Sequence, residues 1–458
     1  MSVEKLSTKA KISWALIFFI PILILLIPVN DIFTTQIKIF SAITVCGILW
    51  FALEVTAPVV PSLILPVLYI LGGIATPDIA FKAWQNNVPW MTLCGFIIYN
   101  VIDRIGLMDR VVYYVLIKSG GTYRGLLYGF MVLGLLLGLV LPGIAFLVLC
   151  PLAFSICKRL ELGHSKTAVG IMFASILGAN LPLLVFYTPS MIGVIANLVA
   201  PLGINITWLQ YLMQNIIFLP FAFLMVFVLG KIYKPDISFE GKEYFQSQYK
   251  ALGKIKANEK KVIFLLLLLV IGLVTSGIHG INIGWIFMTI TVLLYLPIFN
   301  VGKTEDITNA NYSLVLFITA CLTIGEVSNS LNIGGVIAEC VLPLLTDVPF
   351  ISLIIFFWVL AVLVNLAMTP LAAMATFSIP IAQIAMALGE NAKPFLYVFL
   401  NGLDQVFLPY EFVNYLLMFS FGVVTTKQFL SFFSLKMVLN IAYILIIVLP
   451  YWKIIGLL

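Results

Sequence analysis

Apolar runs long enough to cross a bilayer recur along this chain, separated by short polar links. A helix needs about 20 apolar residues to span ~30 Å of hydrocarbon. Runs of that order lie at 12–29, 37–53, 55–74, 90–102, 167–199, 208–229, 262–278, 283–299, 313–324, 395–422 and 432–452. They predict about eleven membrane spans in an all-α polytopic protein. Two further apolar stretches are interrupted. The first, 123–154, breaks at Leu141-Pro142-Gly143, and the second, 350–388, breaks at Thr369-Pro370. Short apolar pieces that meet at a proline read as re-entrant hairpins rather than as simple spans.

Each hairpin is followed by a span with polar residues in its middle. The run 167–199 holds Asn180, Pro182, Thr188, Pro189 and Ser190. The run 395–422 holds Asp404, Gln405, Pro409 and Glu411. Irregular backbone at membrane depth is tolerated where it is buried in protein or lines a cavity. The order hairpin, polar link, broken span, closing span occurs twice, with predicted entry from opposite faces. That is the pattern of inverted repeats, which place a substrate site at the repeat interface. The expected site lies between the tips near Pro142-Gly143 and Pro370-Ala372 and the two breaks. The expected organisation is 1–122 scaffold, 123–230 first transport repeat, 231–261 cytoplasmic loop, 262–349 scaffold and 350–458 second transport repeat.

Composition narrows the class. The chain is 62% hydrophobic and 10% charged, which excludes a soluble domain. A net charge of +6 invites a nucleic-acid reading. The basic residues are spread over links between spans, so no nucleic-acid surface is expected. Their sidedness sets orientation instead. Lys5, Lys9 and Lys11, the cluster Arg104 to Lys166, the eight lysines of 231–261, and Lys303, Lys427 and Lys436 fall on one side. The expectation is a multi-pass plasma-membrane protein, amino terminus cytoplasmic and carboxyl terminus outside. No small-residue cleavage site follows the first run, so it reads as a span and not as a signal peptide. The six cysteines have no metal spacing, and His164 and His279 are isolated. Neither an enzyme nor an organic cofactor is expected.

The remaining chemistry sits in the breaks. Asp404 and Glu411 are seven apart and would share one face of a continuous helix. No Lys or Arg lies within their span to pair with them. One reading makes one of them a proton carrier, and the other makes them carboxylate ligands for a cation. Asn180, Thr188, Ser190, Asn365, Asn401, Gln405 and Asn414 are candidate polar ligands, or helix–helix hydrogen bonds. The half-helices that begin at the tips offer amino termini suited to anions.

Several stretches resemble the divalent anion/sodium symporter family, carriers of dicarboxylates, citrate or sulfate. Leu49-Trp50 through Glu54, Pro58 and Leu65-Pro66 to Gly72-Gly73-Ile74 is similar to the family's "LWLTEALPLPVTALLPVLLLGI". The segment from Trp90 to Asp103-Arg104-Ile105-Gly106-Leu107 resembles "VWLFLGGF…EKSGL". Ser434-Leu435-Lys436 through Asn440 resembles "DMVKAGLLLNLIG". The resemblance implies an elevator-type homodimer and a small-anion symporter, for a di- or tricarboxylate or a sulfate-like anion. It also implies a Ser-Asn-Thr triplet at each hairpin tip that binds sodium and substrate carboxylate. Here those positions are Leu141, Pro142 and Gly143, and Pro370, Leu371 and Ala372, with Thr369 the one near hydroxyl. The scaffold is retained while the usual ligand side chains are absent. Substrate-binding candidates are therefore Pro142, Gly143, Asn180, Thr188, Ser190, Thr369, Pro370, Ala372 and Pro409. Ion-coupling candidates are Asp404, Gln405 and Glu411, with Na+ or H+ as the coupling ion. A non-transporting membrane subunit or sensor that keeps the fold is the alternative.

Overall fold

A computed structural model describes residues 8–30, 33–53, 55–57, 59–140, 143, 145–236, 242–333, 336, 344–345, 348–367 and 369–458. Glu54, Pro58, Leu141 and Pro142 lie outside the described residues. The chain is all-helical there, with no strand among the described residues. It is an all-α polytopic membrane protein. Four helices are long and apolar enough to cross a membrane on their own: Lys166–Leu184, Tyr312–Ser330, Pro370–Ala387 and Thr426–Ile454. Two bent pairs reach that length together. Asn87–Arg104 and Leu107–Lys118 meet at 73°, and Trp208–Asn215 and Phe218–Ile232 meet at 51°.

The first hairpin has arms Tyr123–Val140 and Ala145–Arg159, and the second has arms Phe350–Ala367 and Pro370–Ala387. The second turn falls where Pro370 predicts. At the second tip, Thr369 is extended, its hydroxyl accepts from the Ala372 N–H, and Pro370 opens the helix. Proline suits the first helical position because its missing N–H has no partner there anyway.

Three expectations change. The 313–324 span continues as a helix through Ser330, because Glu326 within the polar run is paired with Lys82 at 2.8 Å. The 208–229 span is bent after Asn215, one turn before Pro220, which lacks the N–H that a straight helix would give to the Ile216 carbonyl. Lys436 is not a loop charge. It is fully buried on the helix Thr426–Tyr443.

The chain divides into two compact units, Met1–Pro89 with Val194–Asn205 and Tyr312–Leu403, and Trp90–Gly193 with Ile206–Asn311 and Asp404–Leu458. Their boundaries do not follow the repeats. Each unit takes one hairpin and one half of each broken span. In the second unit, both arms of the first hairpin pack on Lys166–Asn180, and its inner arm Ala145–Arg159 also packs on Val413–Ser420. In the first unit, both arms of the second hairpin pack on Ala392–Leu403, and its inner arm Pro370–Ala387 also packs on Val194–Val199. The same pairing of hairpin, own half-span and other half-span is thus built twice.

The core of the first unit includes Phe40, Phe51, Leu65 and Tyr69 against Ile324 and Val327. The second unit packs its central helix Lys166–Asn180 on every side, and all of that helix past its first residue is buried. Outside the membrane, Asp236 accepts from the N–H groups of Lys166 and Thr167 and from the Thr167 hydroxyl, capping that helix. Burial pushes the Asp236 carboxyl up, but these bonds outweigh it and hold its pKa below the usual range.

Backbone contact between helices sets one steric requirement. A methyl at Gly134 would overlap the Gly178 carbonyl, and one at Gly178 would meet the Phe130 carbonyl. Close approach of this kind is the use membrane helices make of small residues. Gly134→Val should therefore cost at least about 3 kcal/mol, as overpacking against rigid backbone does. Gly95→Ala, with nothing within 4 Å of the added carbon, should be neutral. Melting of the two purified variants by detergent-phase thermal unfolding checks this.

Candidate functional site

The break after Ala392–Leu403 leaves its backbone without helical partners from Asp404 to Leu408. Side chains supply them. Glu411 lies on the short turn Pro409–Glu411 that Pro409 opens. Its carboxylate accepts from the N–H of Leu408 at 2.6 Å and from the N–H of Phe407 at 3.1 and 3.2 Å. The Lys436 ammonium donates to the Asp404 carbonyl at 3.0 Å, to Asp404 Oδ2 at 2.6 Å and to Gln405 Oε1 at 3.2 Å. Asp404 and Lys436 side chains are each 1% exposed. The expected absence of a basic partner is corrected here. The partner of Asp404 comes from the closing span, one helix later in the chain. Asp404 and Glu411 do not share a helix face, because the helix stops between them.

The pair lies beside a cage of aromatic rings. Phe433 packs against Tyr415 at 5.0 Å and Phe429 at 4.4 Å, and Phe432 stacks on Phe173 at 5.0 Å. Charges in such surroundings persist only when paired and hydrogen-bonded. Beside them, the Asn414 amide donates to Asn180 Oδ1 at 2.7 Å, and Asn180 lies next to the Tyr415 hydroxyl. Asn180 ends its helix where Pro182 opens a short 3-10 turn, and the chain resumes as a π-turn from Pro189. In this interval the Thr188 hydroxyl is fully buried with no partner among the described residues, as is Asp404 Oδ1.

The first hairpin tip reaches the same region of the second unit. Gly143 is left-handed, φ +86°, and a carbon added to it would sit 3.0 Å from the Ser190 hydroxyl. Gly143, Asn180, Thr188, Ser190, Asp404, Gln405, Pro409 and Glu411 all belong to this unit or its break. Pro142 falls outside the described residues. In the first unit, Thr369, Pro370 and Ala372 form the second tip, where Thr369 is spent on its own helix cap. Asn401 donates to the Tyr397 carbonyl, a bond within its own helix. Sequence reasoning missed Lys436 and Tyr415. The available signal was a lysine inside an apolar run, which needs a carboxylate somewhere.

Residues 48–402 match the model of the citrate transporter family. That is most of the chain, including both hairpins. The chain belongs to the citrate transporter family. That membership agrees with the family resemblance read from its motifs. The sodium-dependent dicarboxylate transporter SdcS of Staphylococcus saprophyticus is 25% identical over 250 residues, 50% of this chain and 47% of that one. The chain therefore matches about half the length of that relative. The crystal structure of the YdaH transporter of Alcanivorax borkumensis aligns over 96% of this chain and 98% of its own, with TM-score 0.50 and 11% identity. At that identity the likeness concerns the fold. The family match stops at residue 402, so Asp404, Glu411 and Lys436 lie beyond it.

The bonds of Glu411 predict its role. Glu411→Ala leaves two partly buried N–H groups unpaired, at no more than about 1–3 kcal/mol each. It should lower the melting temperature clearly, and Glu411→Gln, which keeps one acceptor, should lower it less. Equal stability of Glu411→Ala and wild type in a thermal scan would show that the carboxylate does not hold the break.

Proposed function

We propose that this member of the citrate transporter family is a secondary active carrier of a di- or tricarboxylate anion, driven by an H+ or Na+ gradient. The observation that carries the reading is the polar break of the second unit inside a chain that belongs to this family. Buried Asn180 and Thr188 face an interval of non-helical backbone, and the Ala145–Arg159 helix begins close to Gly143 and Ser190. Amide, hydroxyl and half-helix amino termini are groups that take carboxylate oxygens without a basic side chain. The sodium dependence in the name of the staphylococcal relative supports an ion gradient as the driving force.

The test is uptake. Purified protein in liposomes should accumulate labelled citrate or succinate under an imposed pH or sodium gradient. Gly143→Trp and Ala372→Trp should each reduce uptake at least about tenfold while the protein still purifies as a monodisperse species. Accumulation of neither anion by wild type would favour a non-transporting subunit. Full activity in both tip variants would remove the tips from the site.

We also propose an elevator-type homodimer in which 1–122 and 262–349 act as scaffold and hold the two copies together. The internal duplication of hairpin and broken span supports the carrier half of this reading. Light scattering of the detergent-solubilised protein should give twice the monomer mass, and a monomer at all concentrations would discard the dimer.

A further inference from the structure

Lys436 is a buried charge that the transport reading does not use. Its surroundings are unlike those of a simple salt bridge. An ammonium has three N–H donors and no acceptor. Here the three find a main-chain carbonyl, a carboxylate oxygen and a side-chain amide oxygen, at 3.0, 2.6 and 3.2 Å. All three oxygens come from two consecutive residues, Asp404 and Gln405, at the point where the broken helix ends. Carbonyl, carboxylate and amide oxygens gathered at an unwound helix end are also the donor set by which broken membrane helices coordinate sodium. We propose that the Lys436 ammonium is a tethered cation that occupies the place of a coupling sodium ion in this break.

The rest of the region agrees with that assignment. The lysine stem rises from a helix whose neighbouring side chains, Phe429, Phe432 and Phe433, are all buried, so the ammonium is enclosed away from solvent. Glu411, the other carboxylate of the break, is turned to the Phe407 and Leu408 N–H groups and is not offered to a cation. The second oxygen of Asp404 is buried and has no partner among the described residues, so the cluster retains an acceptor beyond those the ammonium fills. Neither hairpin tip supplies a hydroxyl or amide at 141–143 or 370–372. A mobile sodium ion would have to displace a covalently attached one. The consequence is a carrier in which the charge of Asp404 is balanced without sodium.

The inference rests on the transport reading, and its test separates the two. Thermal unfolding of the detergent-solubilised full chain is compared in sodium chloride and choline chloride. Wild type should melt at the same temperature in both. Lys436→Met leaves Asp404 without a cation, and should be destabilised in choline and regain stability as sodium is added. The double variant Asp404→Asn/Lys436→Met, with no charge to balance, should ignore sodium. In liposomes, wild-type citrate or succinate uptake should be the same with either salt outside. Lys436→Met should take up at least about tenfold more with sodium. A merely structural ion pair predicts equal damage to Lys436→Met in both salts, and that result overturns the proposal. So does sodium stabilisation of wild type, which decides the matter even where Lys436→Met does not accumulate. Absence of any anion uptake by wild type counts against the transport reading, and the melting comparison still judges the ammonium.

Discussion

A helix interrupted in apolar surroundings exposes N–H and C=O groups that no water reaches, and each must find a partner. The break at 404–412 solves this with two ionised side chains of opposite sign. The carboxylate of Glu411 takes the free donors of Phe407 and Leu408, and the ammonium of Lys436 takes the free acceptor of Asp404. The Asp404 carboxylate then balances the ammonium it has drawn in. Removing one member of such a buried pair costs about 3–5 kcal/mol, because the other is left unpaired. These bonds stabilise the irregular backbone that gives the break its polar atoms.

The same requirement explains the doubled architecture. A re-entrant arm cannot bury its apolar surface alone, so each inner arm rests on two half-spans within its own unit. Ala145–Arg159 has Lys166–Asn180 and Val413–Ser420, while Pro370–Ala387 has Ala392–Leu403 and Val194–Val199. Each broken span thereby serves both hairpin arms, one with each half. A break is what allows a single span to do this. The breaks are then a condition of the packing as much as of the site.

Much of this was legible in the sequence. Pro142-Gly143 and Thr369-Pro370 marked the two interruptions of the hairpin stretches, and the polar residues inside 167–199 and 395–422 located both breaks. These signals are local: proline removes a donor and fixes φ wherever it stands. The bend after Asn215 has a local cause in Pro220, which cannot bond the Ile216 carbonyl, but one proline inside an apolar run of spanning length does not by itself separate a bent span from a straight one. The partner of Asp404 was not legible either. Lys436 is 32 positions away on another helix, and a search confined to the carboxylate's own span does not reach it. Counting Lys436 as a loop charge hid it further. For Glu411 the local pattern was sufficient in principle. A carboxylate two residues after Pro409, at the third position of a short turn, is placed to reach back to the preceding N–H groups.

Charge bookkeeping in the break constrains what a substrate meets there. Lys436 is the buried cation of the cluster, and its donors are all committed to Asp404 and Gln405. The pair is close to neutral as a unit, which suits a region surrounded by low dielectric, where an unbalanced charge is costly. It also means that the break presents an incoming anion with dipoles rather than with a free positive charge. Amides at Asn180 and Asn414, the Thr188 hydroxyl and half-helix amino termini can orient carboxylate oxygens, each supplying a fraction of a charge. They do not neutralise two or three of them. On the proposed function, the remaining charge is balanced by something that travels with the anion, either protons on its own carboxyl groups or a bound cation, and the gradient of that companion is then what such a carrier draws upon.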